Sequence, residues 1–156
     1  MGFFRIAKVF EVEYGHRLSK HPERCRFPHG HRLRLEIVLR GERLDANDMV
    51  CDYKALKLLV LDLVERLDHA LAINADDPKR EALATMTERL VPFEGTDPTS
   101  EALARWLFDA IAARLAKGRR VVSPGGTAYT IPEGVELERV RVWETATSWA
   151  EYVGGP

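Results

Sequence analysis

Four of the five histidines in this chain fall between positions 16 and 31. His29-Gly30-His31 sets two imidazoles two residues apart. On extended chain such residues point to one face, about 6.6 Å apart along the backbone. That separation suits two ligands converging on one metal ion. His31 shares its parity with Leu33, Leu35, Ile37 and Leu39, so it faces inward. His16 ends an alternating apolar stretch upstream. If the two segments pair antiparallel, His16 arrives beside His29 and His31. Three neutral imidazoles without a thiolate favour zinc, and three protein ligands leave a catalytic position open. Any one of these histidines alone reads more simply as a surface loop residue in a basic stretch. The matched parity of three favours metal. His21 has no partner of fixed geometry and reads as a loop residue.

Cys25 lies four residues before His29, among Lys20, Arg24 and Arg26. Nearby positive charge and a metal increase thiolate character. Such a cysteine can act as base or nucleophile, or serve as a fourth ligand that closes the site. Cys51 precedes a helical stretch and reads as a small buried hydrophobe. Asp68-His69 ends that helix. Either the histidine answers the helix dipole, or the carboxylate orients an imidazole acid/base. Both readings stand.

These residues need elements to position them. Phe4 to His16 alternates as a strand, with Phe4, Ile6, Phe10, Val12, Tyr14 and His16 on one face and Lys8 as the exception. A second strand is expected from about His31 to Arg40, where Val38 breaks the pattern. Asp52 can cap a helix with apolar positions Leu56, Leu59, Val60, Leu63, Val64 and Leu67. A shorter helix is expected from Asp77 as cap, with Pro78 first, to about Leu90. Another follows Thr99, with Leu103, Trp106, Leu107, Ala110, Ile111 and Leu115 on one stripe and Gly118 as terminator. Ser123-Pro124-Gly125-Gly126 marks a small hairpin within 121–131. Val135 to Trp143 and Trp149 to Val153 read as the last strands. The order ββααββ predicts an α+β domain with an antiparallel sheet.

The chain has 156 residues, 46% hydrophobic and 30% charged, which fits a single folded domain over 1–156 and excludes a disordered chain. A formal charge of -1 argues against bulk nucleic-acid binding. No apolar run approaches the roughly 18 residues of a membrane span. Two cysteines make no disulfide framework, and no signal peptide is seen, so a reducing cytoplasm is the expected compartment. Charge is unevenly placed: 17–43 carries net +5 and 44–78 carries net -5. The excess of one sign reads either as a solvated face or as a local anion site, for example for a phosphorylated small molecule.

Cys25-Arg26-Phe27-Pro28-His29-Gly30-His31, after Tyr14-Gly15-His16-Arg17-Leu18, resembles the signature of the 6-pyruvoyl-tetrahydropterin synthase / 6-carboxy-tetrahydropterin synthase family. Val50-Cys51-Asp52-Tyr53, Leu67-Asp68-His69, Pro98-Thr99-Ser100-Glu101-Ala102-Leu103-Ala104 and Val142-Trp143-Glu144-Thr145 are similar to further segments of that family, in its order. Segments at about 75–97 and 119–134 are longer than in its compact members.

The resemblance implies a tunnelling fold (T-fold): a four-stranded antiparallel sheet carrying two main helices on one face. It implies closed homo-oligomers, a hexamer built from two trimers. It implies Zn2+ on His16, His29 and His31, with Cys25 as the proton-abstracting base. Asp68 and His69 would reach the site from a neighbouring subunit. Glu144 would read the pterin, with Glu101 helping at its edge or merely placed well in a first helical turn. The implied partner is a phosphorylated dihydropterin, 7,8-dihydroneopterin triphosphate. The implied reaction is a lyase reaction to 6-carboxy-5,6,7,8-tetrahydropterin, on the route to 7-deazapurines such as queuosine. Its rivals are pyruvoyl synthase chemistry on the same substrate, a non-catalytic pterin- or purine-binding paralogue, and a structural zinc protein with Cys25 as fourth ligand.

Overall fold

The computed structural model describes Gly2–Gly155; residues 1 and 156 of the expected 1–156 domain lie outside the described residues. The longest strands come first. β1 (Phe4–His16) and β2 (His29–Gly41) pair antiparallel along their whole lengths, from Phe4 opposite Gly41 to His16 opposite His29. The alternation read in the sequence is the burial pattern found: Val12, Tyr14 and His16 are buried while Glu11 and Glu13 are exposed. α1 (Tyr53–Leu67) starts where Asp52 accepts the Lys54 N–H at 2.7 Å. β3 (Ala70–Asn74), a five-residue α2 (Arg80–Ala84) and β4 (Leu90–Phe93) follow. α3 (Ser100–Lys117) is capped by Thr99 and stops at Gly118. β5 (Arg120–Val122) and β6 (Ala128–Thr130) form the small hairpin, and β7 (Val135–Thr145) and β8 (Ser148–Val153) complete the chain.

Two expectations need correction. The main sheet has six strands, not four, and is mixed rather than antiparallel, in the order β4-β3-β1-β2-β7-β8. β3 runs parallel to β1, and β4 parallel to β3. A short buried parallel strand shows an unbroken apolar run and no alternation. Ala70–Asn74, after the Asp68-His69 that ends α1, therefore carries no strand-like alternation. The helix expected from Asp77 to about Leu90 is also reduced to Arg80–Ala84. Asp77 caps only a turn, accepting the Lys79 N–H at 2.8 Å, and its other oxygen serves Arg17. Leu90–Phe93, at and beyond the expected end of that helix, form β4.

Both long helices lie on one face of the sheet, α1 over β1 and β3, α3 over β7 and β8. The core between them is made by Leu33, Leu35, Ile37 and Leu39 from β2, by Leu56, Val60 and Leu67 from α1, and by Leu103, Leu107 and Ile111 from α3. The opposite face is a lattice of arginine–glutamate pairs, including Arg32 with Glu13 and Arg40 with Glu136. Such exposed pairs contribute little stability. They do absorb charge. With Arg17 bound to Asp77, much of the basic excess of 17–43 is neutralised locally. Lys20 and Arg24 remain exposed in the loop that carries Cys25. No helix among the described residues is long and apolar enough to cross a membrane.

The core assignment predicts unequal costs. Leu107 is fully buried and Met86 is 80% exposed. Leu107→Ala should lower unfolding free energy by about 2–5 kcal/mol, and Met86→Ala should stay within about 0.5 kcal/mol of the parent. Urea unfolding of both variants checks the contrast.

Candidate metal centre and active site

The register of β1 and β2 brings the three histidines together. His16 lies directly opposite His29, and Tyr14 directly opposite His31. The ring centroids are 4.5 Å apart for His16–His29 and 5.1 Å apart for each pair with His31. Each has one ring nitrogen within 4.8 Å of the others'. His16 is buried; His29 and His31 are half-buried. Cys25 is not part of this group among the described residues.

Backbone carbonyls select the tautomers. His16 Nδ1 lies 2.8 Å from the Pro98 carbonyl oxygen, and His29 Nδ1 lies 2.7 Å from that of Phe27. A carbonyl can only accept, so each Nδ1 carries the proton and donates it. Each Nε2 is then a bare lone pair. Those two nitrogens face each other at 2.9 Å. His31 Nε2 is buried without a hydrogen-bond partner. Glu144 Oε1 lies 3.4 Å from it without completing a hydrogen bond. Burial lowers the pKa of His16 and of His31, in the latter against the opposing pull of Glu144. Two imidazoles whose Nδ1–H groups are held by carbonyls and whose Nε2 lone pairs converge, with the unpartnered His31 Nε2 beside them, are a fitting donor set for zinc.

Four consecutive residues before and at the start of α3 touch four parts of this region. Asp97 accepts from Ser19 Oγ at 2.6 Å and from the Lys20 N–H at 2.8 Å. Pro98 orients His16. Thr99 caps α3, accepting the Ala102 N–H at 3.1 Å. Ser100 Oγ donates to Glu144 Oε2 at 2.6 Å. Tyr14 joins them from below: its ring lies 5.5 Å from that of His16, and its hydroxyl is buried without a partner. Burial, then Glu144, raises its pKa, so it keeps its proton.

Cys25 sits half-buried in the 3-10 turn Arg24–Arg26 between β1 and β2. Cys51 is buried, and burial pushes its thiol up to about 11, as suits an inert core residue. Asp68 and His69 are not part of the histidine cluster among the described residues and pair with each other. His69 Nδ1 is 2.9 Å from Asp68 Oδ2, so the carboxylate orients the ring. Asp68 Oδ1 accepts the Glu13 N–H at 2.8 Å, which with the His69 contact lowers its pKa. His69 has φ +56°, a left-handed conformation uncommon outside glycine. The His69 side chain is 74% exposed, and no hydrogen bond or ion pair among the described residues joins it to the triad. Glu101 is exposed beside Arg105, Trp106 and Tyr152, in a groove that holds no triad residue. Ser100, rather than Glu101, is the helix-start residue that reaches Glu144. The missed residues, Asp97, Pro98 and Ser100, act across long sequence separations, and only the Thr99 cap between them leaves a local signal.

A family model described as 6-pyruvoyl tetrahydropterin synthase matches residues 5–155. A protein of Aquifex aeolicus named 6-carboxy-5,6,7,8-tetrahydropterin synthase is 31% identical, over 96% of this chain and 97% of that protein. One of the same name from Haemophilus influenzae is 26% identical, over 96% and 98%. Among solved structures, an uncharacterized protein from Wolinella succinogenes superposes with a TM-score of 0.76 at 25% identity, over 99% of this chain and 100% of that one. The 6-pyruvoyl tetrahydropterin synthase of Caenorhabditis elegans superposes with a TM-score of 0.64 at 20% identity, over 99% and 98%, a likeness of fold.

The buried imidazoles make the metal-free chain acid-sensitive. His16 and His31 have lowered pKa values in the folded state, while unfolded histidines titrate near ~6.5. Below that value the unfolded chain binds more protons, so stability is full above it and falls as pH drops toward the folded pKa values. Chelator-treated protein should have a lower urea midpoint at about pH 5.5 than at about pH 7.5. The double variant His16→Gln, His31→Gln should lose most of that difference. An equal or higher midpoint in acid would contradict the burial of neutral rings.

Proposed function

This chain belongs to the 6-pyruvoyl tetrahydropterin synthase family, and on that premise we propose that it is a zinc-dependent 6-carboxy-5,6,7,8-tetrahydropterin synthase acting on 7,8-dihydroneopterin triphosphate. The observation that carries the metal requirement is the 2.9 Å approach of the two unprotonated nitrogens of His16 and His29. The name borne by the relatives at 31% and 26% identity supports the carboxy product. The family model bears the pyruvoyl name, which makes elimination of triphosphate without carbon–carbon cleavage the second reading.

His16, His29 and His31 would hold the ion. A bound zinc supplies Lewis-acid polarisation of the substrate's two side-chain hydroxyls. Cys25, as the base, removes a proton from the side-chain carbon next to the ring. Glu144 accepts from the pterin's amino group and ring N–H, a charge-assisted bidentate contact. The Ser100 hydroxyl steadies that carboxylate. Glu101 is the candidate for the pterin's outer edge. The exposed Lys20 and Arg24 suit the triphosphate, a good leaving group. In the carboxy reaction a side-chain carbon–carbon bond also breaks with uptake of one water, which supplies the second carboxyl oxygen, and acetaldehyde is released.

Asp68 and His69 serve as acid/base from a neighbouring subunit. Their exposure, and the lack of a hydrogen bond or ion pair from them to the triad among the described residues, support that reading. So do the sheet edges. β8 is an edge strand with Trp149 and Val153 about half exposed, and β4 forms the other edge. Unpaired edges are normally covered, and closure into a barrel removes them. A closed homo-oligomer, a hexamer of two trimers, satisfies both.

Three outcomes are expected. Incubation with 7,8-dihydroneopterin triphosphate should yield 6-carboxy-tetrahydropterin and acetaldehyde by mass spectrometry; a 6-pyruvoyl product would select the second reading, and an untouched substrate would sink both. Cys25→Ala should keep its metal and lose turnover by about 10²-fold or more, while Cys51→Ala should retain most activity. Light scattering at micromolar concentration should find a closed oligomer, and a monodisperse monomer would overturn the shared site.

A further inference from the structure

A base that must meet one carbon of a bound substrate needs a fixed backbone. The Cys25 loop spans 17–28, and its only regular structure is a three-residue turn with no buried residue. Apolar packing within that turn cannot hold it. Polar contacts to a distant part of the chain do.

Arg17 lies at one end of the loop and is buried. Its Nε donates to Asp77 Oδ2 at 2.7 Å, and its Nη1 donates to the carbonyl of Arg26, the residue after Cys25. The two side chains of that ion pair are 8% and 0% exposed. Asp97 grips the limb before Cys25. Its carboxylate accepts from Ser19 Oγ, from the Lys20 N–H and, at 3.1 Å, from Asn74 Nδ2. The limbs are tied to each other where the Leu18 N–H donates to the Cys25 carbonyl at 2.9 Å. Asp77 and Asp97 are 5% and 6% exposed, and acids are seldom buried so deeply unless paired. Both come from the excursion between β3 and α3.

We propose that Asp97, together with the Arg17–Asp77 pair, is a positioning residue that holds the Cys25 loop against the histidine triad. The inference rests on the proposed role of Cys25 as base. Asp97 and Pro98 are neighbours, so one short segment places both the loop that bears the thiol and the ring of His16. An error of about 1 Å in such placement can cost about 10²-fold in rate. The excursion is therefore part of the active-site scaffold.

The test compares Asp97→Asn with Ser19→Ala, which removes one loop-side donor and leaves the Asn74 contact of Asp97 in place. Three quantities are measured on each: metal content, kcat and KM, and the rate of Cys25 alkylation by iodoacetamide at fixed pH, with buried Cys51 as internal reference. Asp97→Asn should keep its metal and hold KM within about three-fold, while kcat falls about 10-fold or more and the Cys25 alkylation rate shifts. Ser19→Ala should move kcat and alkylation in the same direction by less. Folded variants with parental kcat and parental alkylation rates would overturn the proposal, as would a loss confined to thermal stability. If Asp97→Asn fails to fold, Ser19→Ala decides by the same criteria. If the parent itself turns over no dihydroneopterin triphosphate, the proposed reaction falls, and the alkylation comparison alone decides whether the clamp sets the thiol's surroundings.

Discussion

Two imidazole nitrogens with lone pairs facing at 2.9 Å repel each other unless a cation lies between them. That constraint organises the molecule. The lone pairs are exposed because carbonyls of Phe27 and Pro98 hold the other ring nitrogens. The rings meet because β1 and β2 pair in a register that sets His16 against His29 and His31 against Tyr14. The register is held by burial: a one-residue slip would turn Leu33, Leu35, Ile37 and Leu39 to solvent. Core packing and ligand geometry are therefore the same specification.

The second organising feature is the four-residue run Asp97-Pro98-Thr99-Ser100. Each residue uses a different group: a carboxylate, a carbonyl, a capping hydroxyl and a donor hydroxyl. Together they connect the Cys25 loop, His16, α3 and Glu144. The Thr99 cap fixes where α3 begins, and that start point decides that Ser100 reaches Glu144. A helix cap worth about 1 kcal/mol thus sets side-chain positions across 44 residues of sequence.

Much of this was legible in the residues. The metal triad follows from strand parity, which is a local and periodic signal. The ends of β1, the Asp52 and Thr99 caps and the Gly118 stop follow from equally local chemistry. β3 and β4 were not legible. They are short parallel strands, and the apolar run of Ala70–Ile73 after Asp68-His69 shows no alternation to mark it as a strand. His69 marks the reversal between α1 and β3 by a left-handed backbone that its residue type does not announce. Asp77 has the chemistry of a helix cap, and only the buried guanidinium of Arg17, 60 residues away, recruits it elsewhere. The pairing of Ser100 with Glu144 is likewise non-local.

The central claim is that the three imidazoles require a metal ion, and elemental analysis tests it most directly. Protein purified without chelators, then desalted, should carry about one zinc per chain, the stoichiometry of a three-histidine site with one open position. His29→Ala should lose most of it while remaining folded by circular dichroism. Unchelated, folded protein with no bound metal, or a His29→Ala variant with full metal content, would contradict the account.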